Sequence, residues 1–483
     1  PTPEALLQIG KKTLTQLQSN QAEIVYNQLA EGSKTSIPAS SARLGFVASS
    51  IEESIQYLDT AIKTLEGNSA AWEHPKGIYF RPTGMTTEGK VVALFSGQGS
   101  QYVGMGSQLV NGFPQLQKAF ALANEQVEKL SEKIFPIPVF NQKDKADQEK
   151  ELTQTQYAQP AIGTLSMGMY KSLQDAGFKA DFVSGHSFGE LTALWAAGVY
   201  DESTFLALAK ARGEAMATAK NGTDSGSMLA VKAPIEQVEE AIKNLEGIKI
   251  ANLNSGNQVV WGGSTTAIQT AEQQLKNTGF TAIPLPVSAA FHTEFVQHAQ
   301  QPFAAFVEGQ KFHSPAIPVY ANSTGKPYPK TAAAIKKILE EQILKPVLFK
   351  DQIEQIYQDG GQIFVEFGPK SVLTNLVRDI LKDKPILAIA LNPNAGKDSD
   401  FQFRQAVVQL QVAGLPIGDI DPFKVPSPEP QPKTKLTVQL GGHNYVSLQT
   451  EKAYQDALND GFRISGATKI IEKPIIKKIK KIV

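Results

Sequence analysis

A serine framed by two glycines, in Gly185-His186-Ser187-Phe188-Gly189-Glu190, constrains this chain more than any other feature. The apolar run from Ala180 to Ser184 predicts a buried strand ahead of it. Leu191 to Val199 predicts a buried helix behind it. A G-x-S-x-G at a sharp strand-to-helix turn is the nucleophile elbow. The turn is tight enough to leave no room for a Cβ on either flank, hence the glycines. The helix that follows aims its first amides at the serine, where negative charge is then favoured. The same five-residue pattern also arises by chance in a chain of 483 residues, but the flanking strand and helix favour Ser187 as a nucleophile.

Composition removes several alternatives. With 47 basic and 47 acidic residues the net charge is zero, so no partner with a strong field, nucleic acid or anionic membrane, is indicated. The chain has no cysteine, which excludes disulfides, a thiolate nucleophile and Cys-ligated metal, and fits a reducing cytoplasm. No apolar run reaches the length of a membrane span, and the N-terminus has no signal pattern. The first residue is Pro1 rather than Met, which suggests a piece of a longer polypeptide.

Element patterns divide the chain into four parts. Residues 1–88 alternate helical patterns (Glu4 to Ser19, Ile51 to Leu65) with short strands (Arg43 to Val47, Gly77 to Arg81), as a small α+β domain would. From 89 the fully apolar strand Val91 to Phe95 opens a covered α/β sheet. Helices over Gln115 to Glu132 and Pro160 to Ala176 then lead to the Ser187 strand. Residues 223–288 read β-α-β-β-α-β, the ferredoxin-like order, and have the look of an insertion. The α/β pattern resumes over 289–415, with strands predicted at Ile317 to Tyr320 and Gln362 to Phe367. In the remaining 416–483, Pro422 to Lys435 has linker composition, and Lys473 to Lys481 is basic.

A serine nucleophile needs a base, and six histidines are available. His186 adjoins Ser187, and its side chain should diverge from it at the turn. His74 and His443 lie in the flanks, His313 sits in a loop, and His298 falls on a helix face read as solvated. His292, where the inserted unit returns to the α/β core, remains as candidate general base. A second glycine-rich turn, Ser96-Gly97-Gln98-Gly99-Ser100-Gln101, follows the first core strand and lacks the spacing of a phosphate loop. It is either a plain turn or the source of one oxyanion amide, at Gln98, beside a second at Phe188.

Together GQGSQ (Gly97 to Gln101), GHSFGE (185–190), Arg212 in ARGEAM and FHT (291–293) resemble the malonyl-CoA:acyl carrier protein transacylases. These motifs look most like the malonyl transferase domains of type I megasynthases, while the flanking runs HPKGIYFRPTGM (74–85) and FQFRQAVVQLQVAGLPIGD (401–419) resemble those of iterative type I polyketide and polyunsaturated fatty acid synthases. The resemblance covers about residues 89–415. It implies an α/β-hydrolase-like large subdomain (89–222 and 289–415) with a ferredoxin-like small subdomain (223–288). Residues 1–88 resemble a ketosynthase-to-acyltransferase linker domain, and 416–483 a post-acyltransferase linker and tail.

By resemblance, Ser187 is acylated, His292 is its base, and the amides of Gln98 and Phe188 hold the oxyanion. Arg212 clamps the malonyl carboxylate, a match of planar guanidinium to planar anion. Phe291 before the histidine resembles the malonyl-selective type, whereas Phe188 and Thr293 depart from the commoner residues at their positions. The resemblance implies ping-pong transfer from malonyl-CoA to the phosphopantetheine thiol of an acyl carrier protein. An adjacent ketosynthase would be a further partner, and no bound cofactor or metal is needed. Three alternatives accompany it: another acyl-CoA as donor, an editing thioester hydrolase using the same serine, and a non-catalytic docking scaffold. A carboxylate partner for His292 would favour hydrolysis, and none is placed by the sequence.

Overall fold

A computed structural model describes residues 1–35, 37–85, 89–217 and 224–423, with Glu451, Lys452 and Asp456. The predicted linker beyond Phe423 and the basic Lys473 to Lys481 lie outside the described residues. Pro1–Phe423 is one unit and Lys424–Val483 another. No helix among the described residues is long and apolar enough to cross a membrane.

The chain opens with helices Pro3–Leu17, Ala22–Gly32 and Ile51–Gly67. Three antiparallel strands accompany them, β1 (Arg43–Phe46), β2 (Trp72–His74) and β3 (Ile78–Arg81), in the order β1-β3-β2. The third helix starts where Ser50 Oγ accepts from Glu53 N at 3.1 Å, while the Glu53 carboxylate reaches back to Ser49 N at 2.7 Å. Those reciprocal bonds satisfy amides that a helix start leaves free. The little sheet lies against the distant helix Ser399–Ala413. Arg43 Nη1 donates to Gln411 O at 3.1 Å, and a Cβ on Gly45 would fall 2.5 Å from Val408 Cγ1.

Strand β4 (Lys90–Phe95) then enters the interior, with Val92 to Phe95 wholly buried as their unbroken apolar run requires. The predicted helix over Gln115 to Glu132 is broken in two, Pro114–Gln126 and Leu130–Ile134, by extended Val127 and by Lys129 at φ +58°. The helix expected from Pro160 starts earlier, spanning Thr155–Asp175, and carries Pro160 within its second turn. A further helix, Gln142–Thr153, has no counterpart among the sequence expectations. It is polar nearly all round and buries only Leu152, so no apolar stripe announced it.

Strand β5 (Phe182–Gly185) ends at the serine turn, which leads into helix Gly189–Ala196. Four antiparallel strands follow: β6 (Ser227–Lys232), β7 (Ile248–Ser255), β8 (Gln258–Gly263) and β9 (Thr281–Pro284). Their order, β7-β8-β6-β9, with helices Ile235–Ile242 and Thr265–Asn277, is the ferredoxin-like arrangement. Leu229, Val231, Val259, Trp261, Ile268 and Leu275 fill the space between.

Strands β10 (Gly361–Phe367) and β11 (Leu387–Ala390) complete the parallel sheet β11-β10-β4-β5. The strand expected over Ile317 to Tyr320 is reduced to two isolated bridges, Val319 beside Val183 at the open edge and Tyr320 beside Pro327. Pro318 has no N–H to donate and offers only its carbonyl, to Val183 N at 3.0 Å. The architecture is the α/β class expected, a covered parallel sheet with a ferredoxin-like unit. The β4 and β5 turns, and the Gly368-Pro369-Lys370 turn after β10, share the carboxyl edge of the parallel sheet, where such sheets bind ligands.

Candidate active site

Ser187 stands at φ +52°, a left-handed backbone that a non-glycine residue adopts at roughly 1–2 kcal/mol. Its surroundings impose this. A Cβ on Gly185 would lie 2.1 Å from Gly189 O, and one on Gly189 would lie 2.0 Å from Phe95 O. Asn322 clamps the turn from the open edge, accepting from Ser187 N at 2.6 Å and donating to Gly185 O at 2.6 Å. The hydroxyl is thereby held towards His292, with Ser187 Oγ and His292 Nε2 2.7 Å apart.

His292 is also left-handed, at φ +61°, and is 3% exposed. The Thr293 hydroxyl stabilises this turn, donating to Ala290 O at 2.5 Å and accepting from Phe295 N at 3.3 Å. The ring's Nδ1 lies 3.0 Å from Lys345 O and 3.2 Å from Gln342 O. Carbonyls only accept, so Nδ1 carries the proton and Nε2 presents its lone pair to Ser187. Burial, and then the Arg212 charge, push the imidazole down to about 3, so it stays neutral with an unprotonated Nε2. No carboxylate accepts from Nδ1 among the described residues, and the orienting groups are backbone carbonyls.

The other histidines fall where their surroundings send them. His186 turns from the serine to Asn254 Oδ1 at 2.8 Å and lies against the Phe349 ring. His298, expected on a solvated face, instead has a buried Nε2 with no partner among the described residues. His313 is in a loop, and His74 Nδ1 accepts from Lys76 N at 3.2 Å. His443 lies outside the described residues.

Arg212, on helix Glu202–Ala217, is fully buried. Its Nη2 donates to Gln342 Oε1 at 3.1 Å, while Nε and Nη1 have no partner among the described residues. Burial pulls it down to about 10, with Glu190 opposing, and it remains a cation. A buried guanidinium with two idle donors suits an incoming anion.

The glycine-rich turn meets the elbow closely, since a Cβ on Gly97 would lie 2.3 Å from His186 O. Gln98 is fixed through its side chain, donating to Thr155 Oγ1 and accepting from Gln159 Nε2, both at 3.3 Å. No described residue accepts from the amides of Gln98 or Phe188. The Phe188 ring is fully buried near Phe205, and a Cβ on Gly163 would lie 3.0 Å from its Cζ. That glycine on helix Thr155–Asp175 makes room for the ring. Phe291, 7% exposed, belongs to the large hydrophobic cluster.

Four side chains at the site were not picked out from sequence: Glu190, Asn322, Tyr328 and Gln342. Glu190 is fully buried, accepting from Tyr328 OH and, at Oε2, from Asn322 N and Gln342 Nε2, both at 3.2 Å. Burial raises it to about 7 against the pull of those bonds and of Arg212. Its available signal was a lone acid at the head of an apolar helix. Gln342 Nε2 also donates to Ser187 O at 2.8 Å. No cluster of His, Asp or Glu among the described residues could hold a metal ion.

Residues 92–416 match the family described as "Acyl transferase domain". The chain is 34% identical over 451 residues to a polyunsaturated fatty acid synthase polypeptide of Thraustochytrium sp., a match that covers 89% of this chain and 16% of that one. It is 37% identical over 310 residues to a polyketide biosynthesis protein of Burkholderia thailandensis, of which it spans 26%. Over 61% of its length it is 36% identical to a Bacillus subtilis polyketide biosynthesis malonyl CoA-acyl carrier protein transacylase, 98% of which is covered. Among solved structures, an acyltransferase domain from the second module of the salinomycin polyketide synthase aligns at TM-score 0.66 and 27% identity, over 83% of this chain and 88% of that one. An acyl-carrier-protein S-malonyltransferase of Bartonella henselae aligns at TM-score 0.59 and 32% identity, over 68% of this chain and 100% of that one.

Proposed function

The chain belongs to the acyl transferase domain family, and from that premise we propose that it transfers a malonyl group from malonyl-CoA to the phosphopantetheine thiol of an acyl carrier protein. The observation that carries the reading is the 2.7 Å contact of Ser187 Oγ with His292 Nε2 at a left-handed turn beside a buried, half-unpartnered Arg212. In the first half-reaction His292 Nε2 takes the Ser187 proton as Oγ bonds to the thioester carbonyl carbon. The carbonyl oxygen becomes an oxyanion held by the free amides of Gln98 and Phe188. Its collapse breaks the carbon–sulfur bond, and the coenzyme A sulfur leaves with the proton from His292. The carrier thiol then gives its proton to His292 as its sulfur bonds to the ester carbonyl carbon; collapse of that second oxyanion breaks the bond to Ser187 Oγ, and His292 returns the proton to the departing serine oxygen.

Arg212 meets the malonyl carboxylate through Nε and Nη1. The same contact bears on the base. Burial, and after it the Arg212 charge, depresses His292, and a bound carboxylate would oppose the smaller, Arg212 part of that effect. Phe291 bounds the acyl pocket beside the histidine.

Residues 1–88 serve in this reading as the linker from a ketosynthase, 223–288 as the small subdomain, and 416–483 as the onward linker, within a cytoplasmic synthase. The test is transfer of labelled malonyl from malonyl-CoA to a phosphopantetheinylated carrier protein. Label on the carrier at a rate well above buffer, abolished by Ser187→Ala, is expected. Free malonate in place of loaded carrier would instead make the protein a hydrolase.

A further inference from the structure

Among the described residues, Gln342 is the one side chain hydrogen-bonded to both the serine turn and Arg212, and its main chain also meets His292. Its carbonyl accepts from His292 Nδ1 at 3.2 Å, and its Nε2 donates to Ser187 O at 2.8 Å. Its Oε1 accepts from Arg212 Nη2 at 3.1 Å. Helix Ala332–Gln342 ends at this residue, so the terminal side chain and carbonyl depend on contacts beyond the helix. Glu190 provides one. Its Oε2 accepts from Gln342 Nε2 at 3.2 Å, while Tyr328 OH holds the other oxygen and Asn322 N shares the first.

Between Glu190 and Arg212 the structure has no direct ion pair, although both are fully buried. The Gln342 amide stands between them, oxygen to the cation and nitrogen to the anion. A direct pair would occupy the guanidinium donors. The interposed amide leaves Nε and Nη1 idle while the carboxylate still offsets the cation's burial.

We propose that Glu190 is a positioning residue for malonyl transfer, which through Gln342 orients the His292 ring and keeps Arg212 open to the acyl carboxylate. This rests on the malonyl-transfer reading and adds to it a part for the last residue of the serine motif. Tyr328 and Asn322 act one step further out, fixing the carboxylate that fixes the amide.

The test is time-resolved acylation of Ser187, followed by intact mass, with malonyl-CoA and with acetyl-CoA, for wild type, Glu190→Ala and Glu190→Gln. Glu190→Ala should slow both donors about tenfold or more, the effect of losing a buried hydrogen-bond anchor, and lower the malonyl-to-acetyl ratio as Arg212 loses its seat. Glu190→Gln keeps an oxygen for Gln342 Nε2 and Asn322 N, and should recover most of the lost rate. A folded Glu190→Ala with wild-type rates and ratio overturns the proposal, as does a Glu190→Gln as impaired as Glu190→Ala. Should Glu190→Ala not fold, Tyr328→Phe decides. A several-fold loss with an intact melting temperature supports the role, and an unchanged rate overturns it. Wild type that takes up no malonyl at all would instead overturn the underlying function.

Discussion

Arg212 concentrates the substrate question in one side chain. A fully buried cation with two idle donors is unfavourable unless an anion completes it, and a malonyl group carries one. Arg212→Ala should therefore lower kcat/KM for malonyl-CoA about 10- to 100-fold, the worth of a charged hydrogen bond at 1.5–3 kcal/mol, while acetyl transfer holds or rises. Equal loss for both donors would remove the clamp. His292 makes a second prediction. An imidazole held near 3 is neutral across the working range, so kcat/KM for malonyl-CoA should show no tenfold-per-unit fall as pH drops from 6.5 to 5. Protonation of the base at an ordinary histidine pKa would produce that fall. Ser187 and His292 were legible as residues, because an elbow between glycines and the last unassigned histidine both leave marks in the sequence. The acceptors on His292 Nδ1 were not, because a backbone carbonyl carries no residue identity.

Elements were readable where burial imposes a period. β4 and the ferredoxin-like run β6 to β9 announced themselves through apolar runs and alternation. The helix Gln142–Thr153 did not, since its single buried residue leaves no stripe. Val319 failed as a strand because proline beside it withholds a donor. Docking between elements was invisible in sequence. Nothing in Gly45 itself signals that helix Ser399–Ala413 presses on it, yet a Cβ there would fall 2.5 Å from Val408 Cγ1. Gly45→Ala should accordingly destabilise the protein by about 1–3 kcal/mol, the range for overpacking a tight contact. Thermal unfolding measures this, and an unchanged midpoint would contradict so close an approach.

At the scale of the whole molecule, the site is assembled from parts far apart in the chain. The glycine turn at 97–101, the elbow at 185–190, His292 at the exit from the small sheet, Asn322 and the 342–345 segment meet at one edge of one parallel sheet. Sequence patterns supply that edge and offered His292, Gln98 and Phe188, the family resemblance added Arg212, and neither offered the side chains of Asn322 or Gln342. The buried Glu190–Gln342–Arg212 connection needed coordinates, because its members are polar residues on three different elements with no shared spacing. In the proposed function all of these parts serve a serine that carries the acyl group. Intact-protein mass spectrometry after brief incubation with malonyl-CoA, beside Ser187→Ala, tests that most directly. A malonyl adduct on the wild type alone, discharged when carrier protein is added, is the result predicted. Steady release of coenzyme A with no adduct and no loaded carrier, or an adduct that persists in Ser187→Ala, would contradict it.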